Sequence, residues 1–183
     1  EVDGLFQPIQ SKVLNDAIPA HLRSAPAADG GISWFGLSTR ARVIVYSKAR
    51  LNAADVPSYE SLAAAANKGR VCVRSGSHPY NLSLVAAMIE HLGEPKAEAW
   101  ARGVVANFAR APKGGDTDQI KAVAAGECDV ALSNSYYYAR LLRSARVEDQ
   151  EVVAKAGIVW PDQAGFGAHV HISGAGVLKN APH

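Results

Sequence analysis

At 183 residues, with 48% hydrophobic and 20% charged residues, the chain can bury a real core and has the composition of an ordinary soluble globular protein. A formal charge of +2, with the basic residues scattered, argues against a nucleic-acid or anionic-membrane surface. No run approaches the roughly 18 apolar residues a transmembrane segment needs, and no basic n-region followed by an apolar stretch opens the chain.

The opening stretch, "EVDGLFQPIQSKVLNDAIPAHLRSAPAADGGISW", mixes short apolar pieces with Pro, Gly and Ala-rich polar segments and reads as a connecting segment rather than a folded unit. From residue 42 the pattern changes. "RVIVYS" is a buried-strand run, and "SYESLAAAANKG" predicts a helix that Gly69 ends. "RVCVR" predicts a second strand, followed by the turn-rich "SGSHPYN" and an amphipathic helix from about Leu82 to His91.

A further helix is expected in "EPKAEAWARGVVANFAR", with Pro95 near its first turn. In "GGDTDQIKAVAAGE", Asp116 as N-cap with Gln119 three residues on predicts a capping box. "CDVALS" is a strand leading into the helix "YYYARLLRSA"; after a charged turn, "VVAKAGIVW" and "HVHISGAGVL" read as strands. Strands alternating with helices predict an α/β layered fold with a mixed or mostly parallel sheet. The first residue is Glu1 and the last are "KNAPH", so both ends read as the edges of a longer protein.

Cys72 and Cys128 match no zinc spacing. They can form a disulfide if their strands are neighbours in an oxidising compartment; two buried thiols are the alternative.

The stretch "SNSYYYARLL" sets three tyrosines in a row. Helical neighbours point about 100° apart, so one buried face cannot absorb all three. In open α/β sheets ligands bind beyond the carboxyl ends of strands. "RVCVR" leads to Tyr80 and "CDVAL" leads to Tyr136 and Tyr137, so neighbouring parallel strands would bring three phenols to one crevice. A phenol ionises near pH 10 and becomes a good ligand when a hard, highly charged cation such as Fe³⁺ displaces its proton. A sugar or peptide platform is the competing reading of the triplet.

The blocks "WFGLSTRARVIVYSK", "GRVCVRSGSHPYNLSLVAAMI", "ARGVVANFARAPKGGDTDQIKAVAAGECDVALSNSYYYARL" and "HVHISGAGVLKNAP" closely resemble the periplasmic ferric-ion-binding proteins, solute receptors of bacterial ABC iron importers. The resemblance implies a two-lobed Venus-flytrap fold, of the periplasmic binding protein type. It implies Fe³⁺ as ligand with Tyr80, Tyr136 and Tyr137 as its phenolates, and Tyr138 left to packing. It further implies a synergistic anion such as carbonate held by Arg40, with Arg42 as the competing choice, and a monomer that delivers iron to an inner-membrane ABC permease. Against that family's length, the chain would carry strips of the first lobe and hinge at 1–41, most of the second lobe at 42–168, and the return to the first lobe at 169–183.

Other candidates are weaker. A same-fold receptor for an oxyanion or a polyamine would use the same crevice. "GGDTDQ" lacks the Lys-Ser/Thr of a phosphate loop and reads as a loop plus helix cap, and His169 and His171 share a strand face that could bind a metal with an outside ligand, against an exposed or hinge role. Ser75, Ser77 and His78 suggest a hydrolase only in composition, with no G-x-S-x-G elbow. The expectation is a binding protein, not an enzyme.

Overall fold

The structure is a computed structural model that describes residues 4–182. Contacts divide it into one unit that runs to Thr39 and resumes at His171, and a second unit, Arg40–Val170.

The first unit contains β1 (Phe6–Gln7), α1 (Lys12–Ala17) and the leading part of β2 (Phe35–Ser47). Ser11 caps α1 by accepting from the amide of Leu14. Ile18, Ile32 and Phe35 form a small buried cluster supported by Ile9, Leu14 and Leu22. The opening stretch is therefore not the bare connector its composition suggests, because antiparallel bridges at Ile9–Ile32 and Arg23–Phe35 fold it back on itself.

In the second unit β3 (Val71–Cys72), β4 (Val130–Asn134), β2 and β5 (Ala156–Val159) lie side by side in the order β3-β4-β2-β5. The sheet is mixed. β3 and β4 are parallel, in register Val71↔Val130 and Cys72↔Ala131, while β2 is antiparallel to both β4 and β5. Residues 41–45 and all of β4 are buried, as expected of strands covered on both faces.

Alternate side chains sort into two cores. Ile44, Val71, Val130 and Leu132 pack with Leu84 and Met88 of α2 (Pro79–Leu92) and Trp100 and Val104 of α3 (Glu94–Ala106). Val45, Cys72 and Ala131 pack on the other face with Ile120 of α4 (Asp116–Ala125), Leu141 of α5 (Ser135–Leu142) and Val153 of α6 (Val147–Lys155). The result is a helix–sheet–helix sandwich.

Three expectations are corrected. Residues 58–69 do not form a regular helix but short 3₁₀ turns at Glu60–Ala63 and Ala65–Asn67. The carbonyls an α-helix would use are taken by side chains: Asn67 donates to Ser61, and Asn107 donates to Leu62 and Ala64. The segment "VVAK" is the end of α6, not a strand, and β5 begins only at Ala156. Asp116 is not the N-cap of α4. Asp118 closes that end instead, accepting from the Gly115 amide at 2.7 Å, and Gly114 supplies the positive φ of +71° where a Cβ would meet the Asp118 carboxylate.

Cys72 and Cys128 form a disulfide, with Cα atoms 5.9 Å apart and a sequence separation of 56. The parallel pairing of β3 with β4 brings Cys72 to Cys128, which lies just ahead of β4, and both are buried. Closing a loop of that length restricts the unfolded chain, so Cys72→Ala/Cys128→Ala should lower unfolding free energy by about 4 kcal/mol in a urea titration.

Candidate functional site

β3 and β4 end side by side, and each hands over to a helix whose first turn carries tyrosine. Tyr80 is the second residue of α2, and Tyr136 and Tyr137 are the second and third of α5. The hydroxyls of Tyr80 and Tyr136 lie 3.4 Å apart, and the rings of Tyr136 and Tyr137 are 4.1 Å apart between centroids. All three rings are half-buried. Tyr138 points away into the second core and donates its hydroxyl to the carbonyl of Ala156. Tyr137 packs against that core as well, so of the triplet Tyr136 is turned to Tyr80, Tyr138 to the core, and Tyr137 lies between the two.

A buried polar strut fixes this arrangement. Arg42, fully buried in β2, donates Nη1 to Asp116 at 2.6 Å and to the side-chain oxygen of Asn134 at 3.2 Å, and Nη2 to Asn81 at 2.7 Å. Asp116 also accepts from the Asn134 amide at 2.6 Å and from Arg74 at 3.1 Å. Asn81 follows Tyr80 and Asn134 precedes Ser135 and Tyr136, so one arginine holds the starts of both tyrosine helices. Tyr59, buried against the same strand, donates its hydroxyl to the Arg42 carbonyl and accepts from the His169 amide.

The guanidiniums of Arg40, Arg42 and Arg74 lie 5.7, 5.8 and 5.5 Å from the Tyr80 ring centroid. Arg42 is committed to the strut; Arg40 is half-buried beside the phenol. The Tyr80 hydroxyl is held below the usual phenol value of 10, chiefly by its hydrogen bond with Tyr136 and then by Arg40 and Tyr137, against desolvation. Tyr136 moves the other way, raised by burial and by its two phenol neighbours. Two helix N-termini add positive potential at the same place.

The remaining candidates are occupied elsewhere. His78 is the N-cap of α2, accepting from the Tyr80 amide through Nδ1 at 3.2 Å. The Ser75 and Ser77 hydroxyls bond each other at 2.8 Å. His169 Nε2 lies 2.7 Å from the Ser83 hydroxyl. The strut roles of Asp116, Asn81, Asn134 and Tyr59 escape a sequence reading, because their partner Arg42 lies 17 to 92 residues away.

Comparison with known proteins follows the same outline. The sequence profile described as "Bacterial extracellular solute-binding protein" matches residues 2–182. The chain belongs to that family. The chain is 50% identical over 185 aligned positions to Iron uptake protein A2 of Synechocystis sp., covering 100% of this chain and 52% of the relative. It superposes on a Trichodesmium protein (IdiA, FutA) in complex with iron and citrate ligands with a TM-score of 0.88 and 53% identity, covering 98% of this chain and 55% of that one. The ferric binding protein from Campylobacter jejuni gives a TM-score of 0.88 at 40% identity, over 98% and 56% of the two chains. The fold is therefore a fragment of the periplasmic binding protein type, and the chain spans about half the length of these relatives. Among the described residues, no helix is long and apolar enough to cross a membrane.

Removing one partner of a fully buried ion pair strands the other. Asp116→Ala should therefore cost roughly 3–5 kcal/mol in chemical denaturation, whereas Arg102→Ala, breaking an exposed pair with Glu98, should cost under about 1 kcal/mol. The lowered Tyr80 should ionise first as pH rises. Ultraviolet tyrosinate titration should show one phenol deprotonating below 10, a step that Tyr80→Phe removes.

Proposed function

We propose that this protein captures Fe³⁺ extracytoplasmically through the phenolates of Tyr80, Tyr136 and Tyr137, with Arg40 holding a synergistic anion such as carbonate, for delivery to an ABC importer. The observation that carries this reading is the meeting of two phenol hydroxyls at 3.4 Å, with a third phenol alongside, at the starts of two helices. Phenols gathered in this way repel one another once ionised, and a trivalent hard cation is the kind of ligand that turns that repulsion into attraction. The names of the relatives, iron uptake and ferric binding proteins, support the same cargo.

The chemistry assigns each group a part. Tyr80, already biased toward its anion, makes the first contact; Tyr136 and Tyr137 yield their protons to the metal. The Arg40 guanidinium, a planar fork, suits a planar oxyanion that fills part of the remaining coordination sphere. A disulfide fits an oxidising, extracytoplasmic setting. Release follows from protonation, loss of the anion or reduction of the iron, because each weakens phenolate ligation.

Ferric iron added as a weak chelate, with bicarbonate, should produce a visible phenolate-to-iron charge-transfer band that is lost in Tyr136→Phe and weakened in Arg40→Gln. A band unchanged in Tyr136→Phe would exclude these ligands. Each phenol must give up a proton to bind, so protons compete with the metal and apparent affinity should fall as pH falls. Affinity constant down to acid pH would rule out phenolate ligation.

A further inference from the structure

Helix α5 also borders a surface of a different kind. An open cavity of about 730 Å³ is walled by Lys121 of α4, Arg140 of α5, Arg143 at the C-cap of α5 and Arg146 at the N-cap of α6. All four cations are exposed. The stretch from Tyr136 to Arg146, "YYYARLLRSAR", holds three arginines and no acidic residue. Lys121, Arg140 and Arg143 form no salt bridge among the described residues, and Arg146 meets Glu148 at 3.4 Å between two exposed side chains. Asp149, the acidic residue of the wall, is buried and accepts from the Ser144 hydroxyl at 2.7 Å, so it is engaged there rather than with the cations.

Helix stability does not explain this grouping. A cation in the last turn of α5 complements the negative end of its dipole, which accounts for Arg140. Arg146 stands at the N-cap of α6, the positive end, where a cation is disfavoured. Lys121 comes from a third helix. Cations gathered from three helices make one hollow that attracts negative charge, in a chain whose formal charge is only +2.

The shape and exposure of the hollow distinguish between anionic partners. Exposed ion pairs are individually weak, so a small oxyanion touching one or two of these cations is poorly held. A lipid surface is flat and meets cations that protrude, not cations that wall a concavity. A protein segment reaches all four together and also covers the arginine stems and the exposed Val147 beside Arg146. The lining has the matching composition, since tyrosine and arginine dominate the energetics of protein interfaces and Tyr136 and Tyr137 line the hollow beside the three arginines.

We propose that the hollow between α4, α5 and the start of α6 is a docking face for an acidic segment of a partner protein. Arg140 and Arg143 stand three residues apart on one helix face and present forks that each take a carboxylate two-handed. A helical segment with carboxylates three or four residues apart matches that spacing. The docking face is a separate surface from the meeting of the Tyr80 and Tyr136 hydroxyls, and it stands whatever those phenols bind.

The test uses the whole chain, the variant Arg140→Gln/Arg143→Gln, and Lys68→Gln/Lys96→Gln as a charge-matched control, all at exposed positions and all checked for folding by circular dichroism. The probe is a fluorescein-labelled peptide of about 18 residues, long enough to be helical, with glutamates three and four apart and leucines between them. Fluorescence anisotropy should show it binding the parent and the control variant alike and the Arg140→Gln/Arg143→Gln variant about tenfold more weakly. Added salt should weaken the parent's binding more steeply than that variant's. No binding to the parent, or equal weakening in both double variants, overturns the docking face. Three further outcomes overturn it in favour of another occupant, where each effect is lost in Arg140→Gln/Arg143→Gln: binding of anionic phosphatidylglycerol vesicles without the peptide for a lipid surface, full displacement of the peptide by millimolar phosphate for a small anion, and self-association for a second copy of the chain.

Discussion

The contact between Arg42 and Asp116 governs the rest of the second unit. Both side chains are wholly removed from water, a state that is tolerable only when the charges meet each other and their remaining hydrogen-bonding capacity is largely filled. Asp116 achieves this with Arg74 and the Asn134 amide, and Arg42 with Asn81 and Asn134. Apolar residues of the same volume would hold the layers together as well. What they could not do is fix the starts of two helices against one strand, because dispersion forces have no direction and hydrogen bonds do.

That fixed geometry gives chemically identical side chains different properties. Tyr80 is shifted down by its hydrogen bond with Tyr136 and then by Arg40, while Tyr136, only that hydrogen bond away, is shifted up by burial and then by its phenol neighbours. The two partners of one hydrogen bond are thus shifted in opposite directions. Tyr59 shows the opposite extreme. Burial pushes its ionisation to higher pH, and its hydroxyl bridges the Arg42 carbonyl and the His169 amide.

The parts of this design legible in the amino-acid sequence are those written locally. Apolar runs marked β2 and β4, and the order of strand, loop and tyrosine pointed to the meeting of Tyr80 with Tyr136 before any register was known. The segment around residues 58–69 was not legible, because its alanines favour a helix and the Asn107 amide that claims its carbonyls lies far along the chain. Helix α6 hid because its charged half resembles a turn and its apolar half a strand. Asp116 was read as a cap since caps are local and common; its real partner, Arg42, is 74 residues away. Even Cys72 and Cys128 left two outcomes open until strand order was fixed.

The division of the tyrosine triplet between site and core also limits how this region can change. Each residue along α5 turns the chain by about 100°, so the placing of Tyr136 beside Tyr80 and of Tyr138 beside Ala156 depends on the number of residues after β4. Point substitutions there alter one contact at a time. A single-residue insertion or deletion between Asn134 and Tyr138 would instead rotate every later side chain together, carrying the core phenol toward the site and emptying its place beside Ala156. The stretch should therefore tolerate replacement in evolution far more readily than any change in length.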